Sequence, residues 1–313
     1  MPESAQLLAA TEAIHASRTP LSVDLPGTPN SWREWLSQIA LAAADGPVIA
    51  VLDEFPWIAA GDRAGLEGLL QVMWDRVLEG LPVLLVLIGS DLAMMERLAQ
   101  HDRPLFGRVR ELVMPALNPA EVASALPGAA PFDVFETYLI TGGYPRLVAS
   151  LQRSGMTPAD DPYLRFWFRY VVRHIDAIAR GRGDVAFAAF ERDWPSWRGR
   201  TVEPVVRRAV ELLGATDDRL SGIESALPWW SRDGQVEVDV VGANQERTTL
   251  LGTIKWRESR GVSRREVADL TVLRTRVPRA ADAALAAISP HGTAPAEADL
   301  SLSAADLLTA WQR

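Results

Sequence analysis

The chain has 313 residues, 48% of them apolar and 23% charged, a balance that excludes a disordered polyelectrolyte and leaves room for two domains, each with its own core. It carries 32 basic and 40 acidic residues for a net charge of −8, and no cysteine, which excludes disulfides, thiolate zinc sites and a cysteine nucleophile and argues against a generally basic nucleic-acid surface. The longest apolar stretch, residues 81–88, is too short to span a bilayer, and no basic leader precedes it, so the expectation is a cytoplasmic protein without a membrane partner.

Helical spacing is expected over residues 3–17 and 31–44, the second opening on the cap-like Asn30-Ser31 with Trp32, Trp35, Leu36 and Ile39 on one face. The run 47–52 reads as a strand and ends in Asp53-Glu54. A helix from about residue 63 to 79 follows, then a wholly apolar strand over 83–88 that ends in Gly89-Ser90-Asp91. Apolar strands alternating with helices predict a parallel α/β sheet covered on both faces, with ligands beyond the carboxyl ends of the strands, where Asp53, Glu54 and Ser90 fall. Residues 118–151 read as mostly helical, interrupted at Thr141-Gly-Gly-Tyr-Pro145, and 152–161 as a polar linker. An aromatic helix is expected over 163–170. Beyond it come a helix at 202–213, strands at 235–241 and 248–256, a helix at 263–276, a strand at 283–289 and a terminal helix at 303–312.

Charge is unevenly spread: residues 194–280 hold 15 basic and 12 acidic residues, near +3, which leaves the remainder near −11. Of the 32 basic residues 31 are arginine and one is Lys255, so arginine clusters, including the one at 257–276, weigh little as phosphate-binding signals. The histidines at 15, 101, 174 and 291 lack metal-ligand spacing, and the tryptophans at 194, 197, 229 and 230 read as core residues.

Two constellations could carry chemistry. In the first, an apolar strand ends in two adjacent acids, which repel unless a cation or donor lies near. Asp53 would hold Mg²⁺, Glu54 would polarise an attacking water, and Ser90 would touch the γ-phosphate or that water. Arg108 could approach a phosphate as a charge clamp. The alternative is that Asp53 caps the following turn, Glu54 is solvated and Arg108 is a surface arginine after a turn. No glycine-rich loop with Gly-Lys-Ser/Thr is present to cradle the phosphates. In the second, Glu203 on a helix, Asp239 inside a strand and Lys255 in the next strand have the layout of metal-dependent phosphodiester cleavage. The two carboxylates would hold Mg²⁺ or Mn²⁺ and the lysine would orient water and stabilise developing charge. The alternative there is a structural acid and a snorkelling lysine.

With these residues in view, the chain resembles the archaeal-type P-loop ATPases of prokaryotes. The resemblance rests on Val51-Leu-Asp53-Glu54-Phe-Pro-Trp57, Leu70-Gln-Val-Met-Trp-Asp75, Gly89-Ser90, Pro104-Leu-Phe-Gly-Arg108 and Thr141-Gly-Gly-Tyr-Pro145. It continues in Asp161-Pro-Tyr-Leu-Arg-Phe-Trp-Phe-Arg169, Glu203, Trp230, Glu237-Val-Asp239 and Ile254-Lys-Trp256. It implies an AAA+-like ATPase core over residues 1–117 with Walker B and sensor positions, a lid-like helical segment over 118–158, and a restriction-endonuclease-like α/β domain over 159–313. It also implies ATP and Mg²⁺ as ligands and DNA as a partner. Three departures shape the expectation. The Walker A segment and the family's winged helix are missing, and Thr253 stands where an acid or amide normally precedes the lysine by two residues. The chain is therefore expected to be a shortened member with little or no ATPase activity of its own. A metal-dependent nuclease and a non-enzymatic module that pairs with itself or another protein are the alternatives.

Overall fold

Val48–Leu52 (β1) and Val83–Leu87 (β2) contain no polar residue, and branched apolar side chains suit a pleated, packed surface. In the computed structural model of the chain they pair in parallel, Val48 opposite Val83 and Leu52 opposite Leu87. The structure describes residues 3–16, 27–44, 46–61, 65–154 and 167–312. The described residues form an α/β protein of two compact units, Met1–Met114 and Pro115–Arg313. None of the described helices is long and apolar enough to cross a membrane.

In the first unit, helix α1 (Glu3–His15) and helix α2 (Trp32–Ala42) precede β1. Ser31 caps α2 by accepting from the Glu34 amide, which satisfies one of the orphan donors of the first turn. A parallel pair needs a crossover, supplied here by α3 (Phe55–Gly61), which the periodicity did not announce, and α4 (Gly65–Met73) with a π turn over Trp74–Leu78. The expected helix start at residue 63 lies outside the described residues. After β2 comes α5 (Leu92–Leu98), capped by the Asp91 carboxylate. Trp32, Trp35, Leu36 and Ile39 of α2 pack with Ala50, Leu52, Phe55, Leu66, Leu70 and Met73 in one core. The expectation of a sheet covered on both faces is not met: Ile49 is 70% exposed, and Val51, Leu84 and Ile88 are exposed with it. The period-two alternation sends these side chains to the face opposite the packed helices.

The second unit begins with three short helices, α6 (Pro119–Ala125), α7 (Pro131–Thr141) and α8 (Pro145–Ser154). Asn118 and Glu121 form a reciprocal capping box on α6. The Thr141-Gly-Gly-Tyr-Pro145 interruption has a steric cause. Gly142 ends α7 with φ of 58°, and a Cβ on Gly143 would fall 2.0 Å from the Leu117 carbonyl oxygen. Residues 152–154, expected in a linker, extend α8, whereas 155–161 and positions 163–166 of the aromatic helix lie outside the described residues. Trp167–Val171 forms a π turn, followed by α9 (Ile175–Ala179). Then comes α10 (Gly183–Leu213), far longer than the expected 202–213. Pro195 and Pro204 each remove a helical hydrogen bond, yet the helix runs through both.

The second unit's sheet has the order β3-β4-β5-β6-β7. Its strands are β3 (Ser225–Trp230), β4 (Glu237–Ala243), β5 (Thr248–Ile254), β6 (Ala284–Ile288) and β7 (Leu300–Leu302). The β3–β4 and β4–β5 pairs are antiparallel, and the β5–β6 and β6–β7 pairs are parallel. One face packs on α7 and α10 through Phe135, Leu139, Val202, Val206 and Val210. The other packs on α11 (Arg264–Leu273) through Val267 and Leu270. The terminal α12 (Ala304–Leu308) starts at a Ser303–Asp306 capping box. Strands β3 and β7 lacked a clear pattern, being an edge strand containing Pro228 and a three-residue segment. Trp230, expected in the core, is 55% exposed because it lies on the edge strand.

A buried ion pair, Arg198 with Glu136, lies where α7 meets α10, and the exposed Glu258 joins it from outside. Arg198 Nη1 donates to Glu136 Oε2 at 3.4 Å and to Glu258 Oε1 at 3.0 Å, beneath the rings of Phe132 and Trp194. Glu136 Oε1 has no hydrogen-bond partner among the described residues. The bonds from Arg198 and Trp194 do not offset the loss of hydration, so burial pushes the Glu136 carboxyl up to about 8 against their pull. The folded state thus holds a proton that the unfolded chain releases near the ordinary glutamate value. This contribution favours folding at low pH and is lost as pH rises from about 4.5 through about 8, with a slope of up to roughly 1.4 kcal/mol per pH unit. In thermal melts across that range, Glu136→Gln should flatten the decline; an unchanged pH profile would refute the assignment to Glu136.

Candidate functional sites

In the first unit β1 delivers Asp53 and Glu54 at its carboxyl end, and β2 delivers Ser90 beside them. The Ile88 N–H donates to the Leu52 carbonyl at 2.9 Å and the Phe55 N–H to the Ile88 carbonyl at 2.8 Å, which locks the two strand ends together. Asp53 Oδ1 accepts from the Glu54 amide at 2.9 Å, so this acid does cap the turn. Glu54 is not simply solvated: the Ser90 hydroxyl donates to its Oε1 at 3.2 Å and Oε2 at 3.4 Å. The Glu54 backbone has φ of 52°, a left-handed conformation that costs an L-residue about 1–2 kcal/mol. Such strain is most often retained where a side chain must be aimed. Gly89 is equally constrained, since a Cβ there would lie 2.7 Å from the Met95 sulfur and the Pro56 ring.

Arg108 is not joined to this group by any hydrogen bond. Its fork grips Asp75, Nε to Oδ1 at 2.7 Å and Nη2 to Oδ2 at 2.9 Å, while Nη1 donates to the Phe106 carbonyl at 3.1 Å. The guanidinium holds the Asp75 carboxyl below the usual range, and Asp75 raises Arg108 in turn. Arg108 therefore ties the segment after α5 to the π turn.

In the second unit Asp239 owes its position to a β-bulge. Leu227 pairs with Val241 and Trp229 with Val238, so two steps along β3 face three along β4. The extra residue turns the strand, and Val238 and Val240 consequently pack into cores on opposite faces of the sheet. Asp239 Oδ2 then accepts three bonds from β5 and the residue after it: the Thr253 hydroxyl at 3.0 Å, the Ile254 amide at 2.7 Å and Lys255 Nζ at 3.1 Å. The carboxylate stands in for a ladder partner and pairs with the lysine at once. Lys255 is fixed at its backbone by donation from its N–H to the Ile288 carbonyl at 2.9 Å.

Glu203 reaches the same place from α10. Burial first, and the Asp239 carboxylate second, push its carboxyl up, and Arg207 opposes them. Arg207, which the sequence reading passed over, donates from Nη1 to Glu203 Oε2 at 3.4 Å and to the Asp239 carbonyl at 2.8 Å. The Glu-x-x-x-Arg spacing on a helix was the available signal. Glu203, Asp239 and Lys255 are thus brought together, with Arg207 linking the Glu203 carboxylate to the Asp239 backbone, and Thr253 serves Asp239 as a donor. No group of three or more His, Asp or Glu able to hold a metal occurs among the described residues. Two carboxylates remain a sufficient protein contribution for Mg²⁺, which takes its other ligands from water and substrate phosphate. Asp239 Oδ1 carries no hydrogen bond among the described residues and would face such an ion.

A family described as archaeal and bacterial proteins of unknown function, DUF234, matches residues 167–268, a span that includes Glu203, Arg207, Asp239 and Lys255. No curated protein and no solved structure matches the chain.

The strain at Glu54 gives a direct test. Glu54→Gly should stabilise the chain by about 0.5–1 kcal/mol in denaturant titrations, because glycine adopts positive φ freely and the lost Ser90 bond is exposed. A loss of stability would show that the Ser90 contact outweighs the backbone strain.

Proposed function

We propose that the chain descends from ATP-hydrolysing proteins of the archaeal-type P-loop class and that its retained chemistry lies in the second unit, as divalent-metal-dependent cleavage of nucleic-acid phosphodiesters. The observation that carries this reading is the 3.1 Å contact of Lys255 Nζ with Asp239 Oδ2 at a β-bulge, beside a Glu203 carboxyl raised partly by Asp239. Mg²⁺ or Mn²⁺ would be held by Glu203 and Asp239 and would supply Lewis-acid activation of water. Lys255 would stabilise charge on the phosphate, and Thr253, in place of an acid, leaves one ligand fewer. Plasmid and single-stranded DNA should be cleaved with Mn²⁺ or Mg²⁺, and Asp239→Ala or Lys255→Ala should each lower the rate at least about 100-fold. Inactivity of the wild type across both metals and both substrates would sink the proposal.

A second reading concerns the first unit, where the Ser90–Glu54 hydrogen bond and the left-handed Glu54 favour the hydrolytic half of an ATP site. Asp53 would hold Mg²⁺, Glu54 would orient water and Ser90 would sense the phosphate. Without a phosphate-cradling loop and its lysine, this half-site loses several charge-assisted bonds, each worth about 1.5–3 kcal/mol. The polypeptide alone should therefore show no measurable Mg²⁺-ATPase. Robust turnover abolished by Glu54→Gln would instead establish a complete ATPase. The exposed Ile49, Val51 and Leu84 face is compatible with a further role in association with a second copy or another protein.

A further inference from the structure

We propose that Arg207 is an exchangeable counter-cation that makes divalent-metal binding at Glu203 and Asp239 depend on an incoming phosphodiester; this rests on the reading of those two acids as a metal-binding pair. Each acid already has a resident cation. Lys255 Nζ sits on Asp239, and Arg207 Nη1 bridges Glu203 Oε2 and the Asp239 carbonyl. A dication entering between the carboxylates meets both positive groups, in a place where Arg207 and Glu203 are largely withdrawn from screening solvent.

Arg207 differs from Arg219 and Arg198, two other anchored arginines of this unit. Arg219 spends its Nε and Nη2 on Asp217 and Asp306, and Arg198 is enclosed by Glu136, Glu258 and two aromatic rings. Arg207 makes both of its bonds through Nη1, so Nε and Nη2 have no partner among the described residues. That edge is the planar pair of donors that grips two phosphate oxygens at once. Its bond to Glu203, at 3.4 Å, is the longer of the two and the easier to give up. A phosphodiester engaging the open edge would draw the guanidinium off Glu203 and neutralise its charge. The Glu203 carboxylate would then be free for the metal. Coupling of this kind is reciprocal, so bound metal must raise affinity for the phosphodiester by the same factor.

The test is Mn²⁺ binding to the full chain, read from the electron paramagnetic resonance of free Mn²⁺. It is run with and without a single-stranded oligodeoxynucleotide whose phosphorothioate linkages resist cleavage. The wild type should bind Mn²⁺ weakly and gain about five-fold or more in affinity with the oligonucleotide. Arg207→Gln should bind roughly ten-fold tighter without it and lose the response. Wild-type affinity in Arg207→Gln, or a retained response, overturns the exchange. If Arg207→Gln gives no cooperative melt, Arg207→Lys carries the test. It keeps the charge but not the fork, so Mn²⁺ affinity should stay weak and the response should shrink; a full response overturns the proposal. Asp239→Asn separates the two levels. Mn²⁺ binding that survives it, or is absent from every variant, removes the metal-binding pair and the exchange with it. Binding abolished by Asp239→Asn but indifferent to Arg207 removes the exchange alone.

Discussion

A single carboxylate oxygen organises the second unit. Asp239 Oδ2 takes the Thr253 hydroxyl, the Ile254 amide and the Lys255 ammonium, and so stands in for a rung just beyond Val240–Gly252, the last pair of the β4–β5 ladder. The same residue's carbonyl accepts from Arg207, which ties the long helix α10 to the sheet at that point. Remove the carboxylate, and a buried amide and a lysine lose their partner together, at the expense of both the strand pairing and the charge balance. Structure and candidate chemistry are therefore inseparable here: the bulge that needs a carboxylate to complete the sheet is also what points that carboxylate at the lysine.

The first unit shows a related economy on a smaller scale. The two strand ends are clamped through Leu52, Phe55 and Ile88, and the clamp forces Glu54 into a left-handed conformation beside Ser90. Gly89 is the residue that allows the approach, because any side chain there would collide with Met95 and Pro56. Arg108, by contrast, is fully engaged by Asp75 and by backbone carbonyls, and its role in the structure is to brace a turn.

Much of the local structure was legible because it depends on local signals. The apolar runs of β1 and β2, the Ser31, Asn118, Ser263 and Ser303 caps, and the period of α2 follow from neighbouring residues alone. The errors arose where distant contacts overrule such signals. Helix α10 begins far before the expected residue 202 and runs through Pro195, its C-terminal half held against the sheet by Val202, Val206 and Val210. Strand β3 gains its place from pairing with β4 and lacks a clear pattern of its own.

The candidate site divides in the same way. The sequence by itself determined the residue types at the strand ends, the Asp53-Glu54 pair, Ser90, and the Glu203, Asp239 and Lys255 set, because side-chain chemistry and strand periodicity are properties of short segments. Only the tertiary structure decided that Asp239 meets Lys255, that Arg207 links Glu203 to the Asp239 backbone, and that Arg108 belongs to Asp75. Those pairings depend on a one-residue register shift in β4 and on how helices are laid against their sheets. A one-residue shift reverses which side chains face which core, and no local pattern encodes it.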